Sequence, residues 1–366
     1  MRLTAEPLNL RLAQPFAIAR GVQTEAHNVL ARIATDDGLV GIGEGAPKAF
    51  YGETQASALA ALALFADDLG DDPGAIEEIM ARLERTLHGN AAAKTAVDTA
   101  LYDLLGKRLG VPLYRLWGLS AARPLATSYT ITIDTPAVMA ESARAAGAIY
   151  PILKLKLGTP DDVALVRAVR EATDATLRVD ANAAWTAKQA IATINALAPY
   201  AVEFVEQPVA RGDLAGLRLV RERVEVPIIA DESCETLEDV ARLAGCVDGI
   251  NIKLMKCGGL HHALKMIAAA RAHHMRVMIG CMIESSVAIT AAAHLTPLVD
   301  YADLDGALLL AADPYEGVTF EHGCIILPDR PGLGIRPRQT AADGAAERSG
   351  GRAAPARDGR AAARQP

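Results

Sequence analysis

Three acidic residues lie at nearly equal intervals along the chain, each at the end of a short apolar run. They are Asp180 in LRVDAN, Glu206 in VEFVEQP and Asp231 in PIIADES, 26 and 25 residues apart. Carboxylates that converge on one place repel one another strongly unless a cation neutralises them. Hard oxygen ligands suit Mg²⁺, so the spacing predicts a magnesium site, with Asn182 and Glu232 supporting the ligands. Any one acid alone could instead cap a helix.

Two lysines, Lys154 and Lys156, alternate within the apolar run PILKLKLG. Alternate residues of a strand point to the same face, so both ammonium groups are expected on one side of a sheet. Like charges that lie close together lower each other's pKa, which makes a lysine a usable base near neutral pH. A lysine pair on a solvated edge strand is the alternative. The leucines on either side favour a buried strand and a catalytic role.

Lys253 in GINIKLMK ends a further apolar run, four strand units after Lys156. In a barrel of eight strands, four units are half the circumference, so the two lysines are predicted to face each other. Opposed bases beside a metal ion can remove a proton from one face of a carbon and return one to the other. The metal would stabilise the enediolate that forms. Lys256 is predicted to point the other way and to be secondary.

Asp303 and Asp305, in YADLDGALL, close the last apolar run with both side chains on one face. Their charge is wrong for binding a substrate carboxylate and right for binding a substrate ammonium group. Two surface acids around a turn are the alternative.

The elements that must position these residues repeat along the chain. From about residue 125, eight short apolar runs recur roughly every 25 residues, with helical stretches between them. Regular alternation of strand and helix predicts an α/β fold with a parallel sheet whose polar strand ends share one side. Eight strands suggest a closed TIM-type barrel with its active site at the carboxyl ends of the strands. An open doubly wound sheet is the alternative.

Four segments are predicted from the change of pattern along the chain. Residues 1–123 are expected to form an α+β domain that contains a hairpin with its turn at Asp36-Asp37-Gly38. Residues 124–312 are expected to form the barrel, and 313–338 a segment that returns to the first domain. Residues 339–366 have no Leu, Ile, Val or aromatic residue and are predicted to be a disordered tail.

Composition limits the class of protein. The chain has 366 residues and a formal net charge of −7, which disfavours nucleic acid as a partner. Its longest apolar run, residues 58–66, is far shorter than the roughly 20 residues of a membrane span. The five cysteines are scattered and include no C-x-x-C pair, which is typical of reduced thiols in a cytoplasmic protein. These features predict a cytoplasmic enzyme that binds neither nucleic acid nor membranes.

Together these motifs resemble the enolase superfamily, in particular its muconate lactonizing enzyme subgroup. The matching motifs are K-x-K at Lys154, D-A-N at Asp180, V-E-Q-P around Glu206, A-D-E-S around Asp231 and I-K-L-M-K-C-G-G from Lys253. The resemblance covers about residues 1–338 and implies an α+β capping domain over a modified (β/α)₇β barrel. It also implies one Mg²⁺ and abstraction of a proton next to a carboxylate. The acid/base pair would be Lys156 and Lys253, and Lys154 would tune Lys156.

Within that subgroup, Asp303-x-Asp305 is similar to the aspartate pair with which dipeptide epimerases bind the substrate ammonium group. The resemblance further implies substrate contacts by Arg20 in PFAIARG, Thr130 in SYTIT and a lid loop that contains Tyr51. The expected reaction is 1,1-proton transfer at the Cα of the C-terminal residue of a dipeptide, such as L-Ala-D/L-Glu from peptidoglycan. Related enzymes suggest a homo-oligomer.

Other activities remain open on the sequence. Within the same subgroup they are a cycloisomerase, an o-succinylbenzoate synthase or an N-acylamino acid racemase. Outside it, a Schiff-base aldolase or a binding barrel without catalysis are further alternatives.

Overall fold

An antiparallel sheet of three strands forms the N-terminal part of the protein. The structure, a computed structural model, describes residues 1–18 and 21–338. The strands lie in the order β1 (Arg2–Ile18), β2 (Gly21–Ala34) and β3 (Val40–Gly45). β2 and β3 form the predicted hairpin, in which Ala34 pairs with Val40 across the turn.

Helices cover one face of this sheet, and glycines bring the longest of them close. The helices are α1 (Gln55–Phe65), α2 (Ile76–Thr86), α3 (Ala91–Leu109) and α4 (Leu113–Leu116). A Cβ at Gly41, Gly43 or Gly45 of β3 would lie within 2.4 Å of a backbone oxygen of α3. Two strand residues and about four helix residues span similar lengths, so alternate glycines meet successive turns of α3. The Gly-x-Gly-x-Gly run is therefore a packing feature.

Eight parallel strands in sequential order form the second sheet. They are β4 (Tyr129–Ile131), β5 (Ile152–Lys156), β6 (Thr176–Asp180), β7 (Val202–Glu206), β8 (Ile228–Ala230), β9 (Gly249–Lys253), β10 (Arg276–Gly280) and β11 (Tyr301–Asp303). Thr127, just before β4, pairs with Ala302 of β11, and Ser128 N donates to Ala302 O at 3.1 Å. The ends of the sheet thus meet in a nearly closed barrel. This confirms the predicted barrel, and the open doubly wound sheet is wrong.

Helices follow the barrel strands and cover the outside of the barrel. They bury apolar faces, as α6 does with Leu165, Val166 and Val169. The helices are α5 (Pro136–Gly147), α6 (Asp162–Ala172), α7 (Ala187–Leu197), α8 (Leu214–Arg221), α9 (Leu237–Leu243), α10 (Leu254–Cys257), α11 (Leu260–Ala272) and α12 (Ser286–Ala293). Among the residues that the structure describes, no helix is both long enough and apolar enough to cross a membrane.

The last described segment contacts both parts of the protein. Two strand pairs lie in it: β12 (Tyr315–Glu316) with β15 (Arg336–Pro337), and β13 (Thr319–Glu321) with β14 (Cys324–Ile326). Leu333 N donates to Asp103 of α3 at 2.9 Å, whereas Ile325 N donates to Leu125 O near the start of the barrel at 3.0 Å. The boundaries at 123 and 312 stay predictions. The predicted tail, 339–366, lies outside the described residues.

Candidate active site

A cavity of about 310 Å³ opens at the carboxyl ends of the barrel strands, beneath loops of the N-terminal sheet. This is the end of such barrels at which active sites lie. Most of the residues predicted from the sequence line it. They are Tyr51, Thr130, Lys154, Lys156, Asn182, Asp231, Lys253, Asp303 and Asp305.

The three predicted metal ligands lie at the ends of adjacent strands, and Asp231 is the one that lines the cavity. Asp180 ends β6, Glu206 ends β7 as its register partner, and Asp231 directly follows β8. All three are buried, with at most 1% of each residue exposed. Burial raises the pKa of Glu206 to about 8, and the charge of Asp180 contributes to this rise. Burial alone would raise the pKa of Asp231, but Lys253 and Lys256 outweigh burial and hold it well below the usual value.

Lys154 lies among the carboxylates. Its Nζ is 2.6 Å from Asp303 Oδ2, 2.7 Å from Glu206 Oε2 and 3.1 Å from Asp180 Oδ2. Burial would lower the pKa of Lys154, but the three acids outweigh it and raise the pKa well above the usual value. The expectation that a neighbouring lysine lowers this pKa is therefore wrong for Lys154. Three carboxylates contact its ammonium group, and the sequence pattern did not place them there.

Lys156 and Lys253 line the cavity from strands on opposite sides of the barrel. β5 and β9 are four positions apart in the eight-stranded order. Lys156 Nζ donates to Asp180 Oδ2 at 2.7 Å, and Lys253 Nζ donates to Asp231 Oδ2 at 2.8 Å. Each side chain keeps 9% of its surface exposed, so each amine can be reached from the cavity.

The sequence analysis missed the role of Lys256 in this site. Lys256 Nζ donates to Asp231 O at 2.5 Å, to Asp231 Oδ1 at 2.6 Å and to Asn251 O at 3.1 Å. The prediction that Lys256 points away was wrong, because it extended strand alternation beyond the end of β9. The chain turns there into α10, and residues three apart in a helix lie on the same side.

The two aspartates after β11 have different surroundings. Asp303 Oδ2 accepts from Lys154, and its Oδ1 accepts from Ser128 Oγ at 2.6 Å. Asp305 Oδ2 accepts from Thr130 N at 2.7 Å and forms no ion pair among the described residues. Burial and the charge of Asp303 raise the pKa of Asp305 to about 6. Asp305 is thus the member of the pair that is available to a cation in the cavity.

The remaining predicted residues surround this centre. Asn182 N donates to Asp180 Oδ1 at 2.9 Å, and its Nδ2 donates to Glu232 Oε1 at 3.3 Å. Tyr51 belongs to a loop of the N-terminal domain, and the Arg211 guanidinium lies 5.9 Å from the centre of its ring. Arg20 lies outside the described residues.

Lys48 and Cys281 are among the cavity residues that were not predicted. Lys48 lies just before the lid turn at Ala49–Tyr51, and Cys281 directly follows β10. The lid loop around Tyr51, which the resemblance implied, could have drawn attention to Lys48. The sequence predicted Cys281 only as one of five reduced thiols, and the structure shows it half-buried in the lining of the cavity.

A capping sheet above a barrel whose strand ends carry three acids and two opposed lysines defines an enolase-type fold and site. Residues 2–118 match the family model of the mandelate racemase / muconate lactonizing enzyme N-terminal domain, and 137–341 match the enolase C-terminal domain-like family. The chain belongs to the mandelate racemase / muconate lactonizing enzyme family of the enolase superfamily. The resemblance inferred from the sequence is thereby confirmed.

Individual relatives are epimerases, which are isomerases. An L-Ala-D/L-Glu epimerase of Bacteroides thetaiotaomicron is 40% identical over 336 residues, which cover 92% of this chain and 88% of that protein. A hydrophobic dipeptide epimerase of Enterococcus faecalis is 43% identical over 89% of this chain and 96% of its own length. The solved dipeptide epimerase of Enterococcus faecalis, complexed with Mg and L-Leu-L-Tyr, superposes with a TM-score of 0.88 at 42% identity, covering 91% of this chain and 98% of that one.

Proposed function

We propose that this protein is a Mg²⁺-dependent dipeptide epimerase that inverts the Cα of the C-terminal residue of a dipeptide, with L-Ala-D/L-Glu as the expected substrate. The observation that carries the proposal is the placement of Lys156 and Lys253 on opposite walls of one cavity, above buried carboxylates. Similarity to epimerases over about nine-tenths of the chain supports it. The origin of the substrate in peptidoglycan, the cytoplasmic location and homo-oligomeric assembly stay predictions from the sequence.

The donor chemistry of the three acids suits a magnesium ion, although among the described residues no three such side chains are gathered closely enough to hold one as they stand. Asp180, Glu206 and Asp231 would hold it, since they offer hard oxygen ligands from adjacent strands. The raised pKa of Glu206, caused by burial and by the neighbouring acids, indicates a site that favours one more positive charge. When bound there, the ion would stabilise the negative charge that develops on the substrate carboxylate during proton removal.

The two opposed lysines would transfer the proton. One lysine, as a neutral amine, accepts the Cα proton from its face of the substrate. The other lysine, as an ammonium group, donates a proton to the opposite face, and the configuration is inverted. For the other epimer the two lysines exchange roles, so one site converts both epimers. Despite burial, Asp231 and Glu206 raise the pKa of Lys253 well above its usual value, and a magnesium ion held by these acids would offset their charge and allow Lys253 to act as a neutral amine.

Lys154 would support Lys156 through a shared acid. Both Nζ atoms lie near Asp180 Oδ2, at 3.1 Å for Lys154 and 2.7 Å for Lys156. Through this shared oxygen, Lys154 would hold the carboxylate of Asp180 in position beside Lys156.

Asp305 would bind the α-ammonium group of the dipeptide. Thr130 N fixes one of its oxygens, and no lysine or arginine of the described residues pairs with it. Asp303 would act as its support, because Lys154 and Ser128 already bind its carboxylate. The free carboxylate of Asp305 favours a substrate with a free ammonium group. It disfavours the substrates of a cycloisomerase, an o-succinylbenzoate synthase or an N-acylamino acid racemase.

Isotope exchange tests the proposal. The protein, L-Ala-L-Glu and Mg²⁺ in D₂O should yield peptide that carries one deuterium at the glutamyl Cα. The Lys156→Met/Lys253→Met double variant should abolish exchange, and Lys188→Met, a change at an exposed lysine of α7, should not. Absence of exchange with every member of a dipeptide library would remove the proposal. Full activity of an Asp303→Asn/Asp305→Asn variant on a substrate without an ammonium group would favour the alternatives.

A further inference from the structure

Lys48 is a charged residue of the cavity that has no role in the proposed proton transfer. It lies between β3 and the lid turn, in the loop that covers the barrel. Its backbone oxygen accepts from Tyr51 N at 2.9 Å and from Glu53 N at 3.2 Å, which fixes the loop around it. Its side chain is half-buried and lines the same cavity as Lys156 and Lys253.

Lys48 differs from the other lysines of the cavity in its partners. Lys154, Lys156 and Lys253 each form at least one ion pair with a carboxylate. Among the described residues Lys48 forms none, and its hydrogen-bond acceptor is the neutral amide oxygen of Gln23 at 3.4 Å. Burial lowers the pKa of Lys48, and the Glu284 carboxyl offsets this only in part. The ammonium group is therefore partly desolvated, and no carboxylate of the described residues lies within ion-pair distance of it.

The surroundings of Lys48 allow its charge to discriminate between substrates with and without a carboxylate. Phe16, Ile18, Val22 and Leu309 give this cavity an apolar wall, so an apolar side chain would be accepted by contact alone. A substrate that covers Lys48 without a negative charge displaces water from the ammonium group and does not replace the hydrogen bonds that the water made. Binding of such a substrate is therefore disfavoured. A substrate carboxylate at this position restores a charge-assisted hydrogen bond.

We infer that Lys48 is a specificity-determining residue that pairs with a side-chain carboxylate of the dipeptide, so that acidic dipeptides are preferred over their isosteric amides. The inference rests on the proposed epimerase function and deepens it. Relatives that are similar to this chain include both an L-Ala-D/L-Glu epimerase and a hydrophobic dipeptide epimerase, so the side chain of the substrate differs between proteins of similar sequence.

The carboxylate could belong to either residue of the dipeptide, and matched substrates distinguish the two. The pairs are L-Ala-L-Glu with L-Ala-L-Gln, and L-Glu-L-Ala with L-Gln-L-Ala. Hydrogen bonds to charged groups predict that the wild-type protein prefers the acid of one pair by about 10- to 100-fold in kcat/KM. Lys48→Met should remove most of that preference by raising KM for the acid, whereas Lys188→Met should leave it as it is. The pair that loses its preference identifies the position.

A charge reversal gives a gain that a folding defect cannot imitate. Lys48→Glu should favour the peptide that carries lysine at the position identified, relative to the wild-type protein. An equal fall in kcat/KM for all four peptides in Lys48→Met, or a wild-type protein that does not prefer the acid in either pair, would overturn the inference while leaving the epimerase proposal intact. Absence of exchange with all four peptides and with the wider library would overturn the epimerase proposal, and this inference with it.

Discussion

Lys154 and Lys156, two residues apart on one strand, both lie within ion-pair distance of a single carboxylate oxygen, Asp180 Oδ2. The two amines differ in what else they contact. Lys154 is enclosed by two further acids, whereas Lys156 keeps part of its surface open to the cavity. The strand therefore carries one lysine that is enclosed by three acids and one whose side chain reaches the cavity.

Lys256 is expected to position a metal ligand without contacting the substrate. Its Nζ holds both the backbone oxygen and Oδ1 of Asp231. Lys256→Met should weaken Mg²⁺ binding by about 10- to 100-fold, because loss of a residue that orients a ligand has effects of this size. Calorimetric titration of the protein with Mg²⁺ in the absence of substrate measures this effect. An unchanged affinity, with only a lower melting temperature, would assign Lys256 a purely structural role.

Asp305 and Asp303 are expected to respond differently to loss of charge. Asp305→Asn should raise KM for dipeptides strongly, because it removes the free carboxylate that meets the ammonium group. Asp303→Asn should instead lower stability, by about 1.5–3 kcal/mol, because Lys154 loses one of its three charged partners in a buried site. Steady-state kinetics and denaturant unfolding of both variants separate the two effects. Equal KM values for Asp305→Asn and the wild-type protein would contradict the assignment.

The same residue predicts a pH dependence of binding. The pKa of Asp305 is raised to about 6, so its carboxylate is ionised above that pH and neutral below it. Substrate affinity should therefore fall as the pH drops through about 6, while the dipeptide ammonium group stays charged. Substrate binding measured between pH 5 and 8 should show this loss in the wild-type protein, and Asp305→Asn should lack it.

His294 predicts a pH dependence of stability. It is buried, its Nε2 donates to Leu333 O at 3.1 Å, and burial lowers its pKa to about 4. The unfolded chain binds a proton near the ordinary pKa of about 6.5, so stability is complete above that pH and falls as the pH drops towards 4. The loss amounts to about 3 kcal/mol. Urea unfolding should show this slope in the wild-type protein and not in His294→Gln; parallel curves would contradict it.

The sequence predicted the barrel and most of the site because strand ends leave a regular pattern. The repeat near 25 residues and the polar residue after each apolar run placed Asp180, Glu206 and Asp231 on adjacent strands. Four strand units correctly put Lys156 and Lys253 on opposite sides. Such spacing is a property of the local chain and can be read without coordinates.

The features that were missed depend on contacts between distant segments or on a change of period. The direction of the Lys256 side chain could be predicted only by knowing that a helix begins directly after Lys253. The enclosure of Lys154 by three acids depends on the meeting of β5, β6, β7 and β11. Lys48 comes from the N-terminal domain, and its place above the barrel follows only from how that domain packs.

The central claim, that two lysines act on opposite faces of one carbon, is tested most directly by single-turnover exchange in D₂O. Lys156→Met and Lys253→Met are each mixed with the L,L and L,D epimers of one dipeptide, and deuterium at Cα is measured. Each variant keeps the base for one face, so one should exchange only the L,L epimer and the other only the L,D epimer, without inversion. Equal exchange of both epimers by either variant would contradict opposed single-face bases.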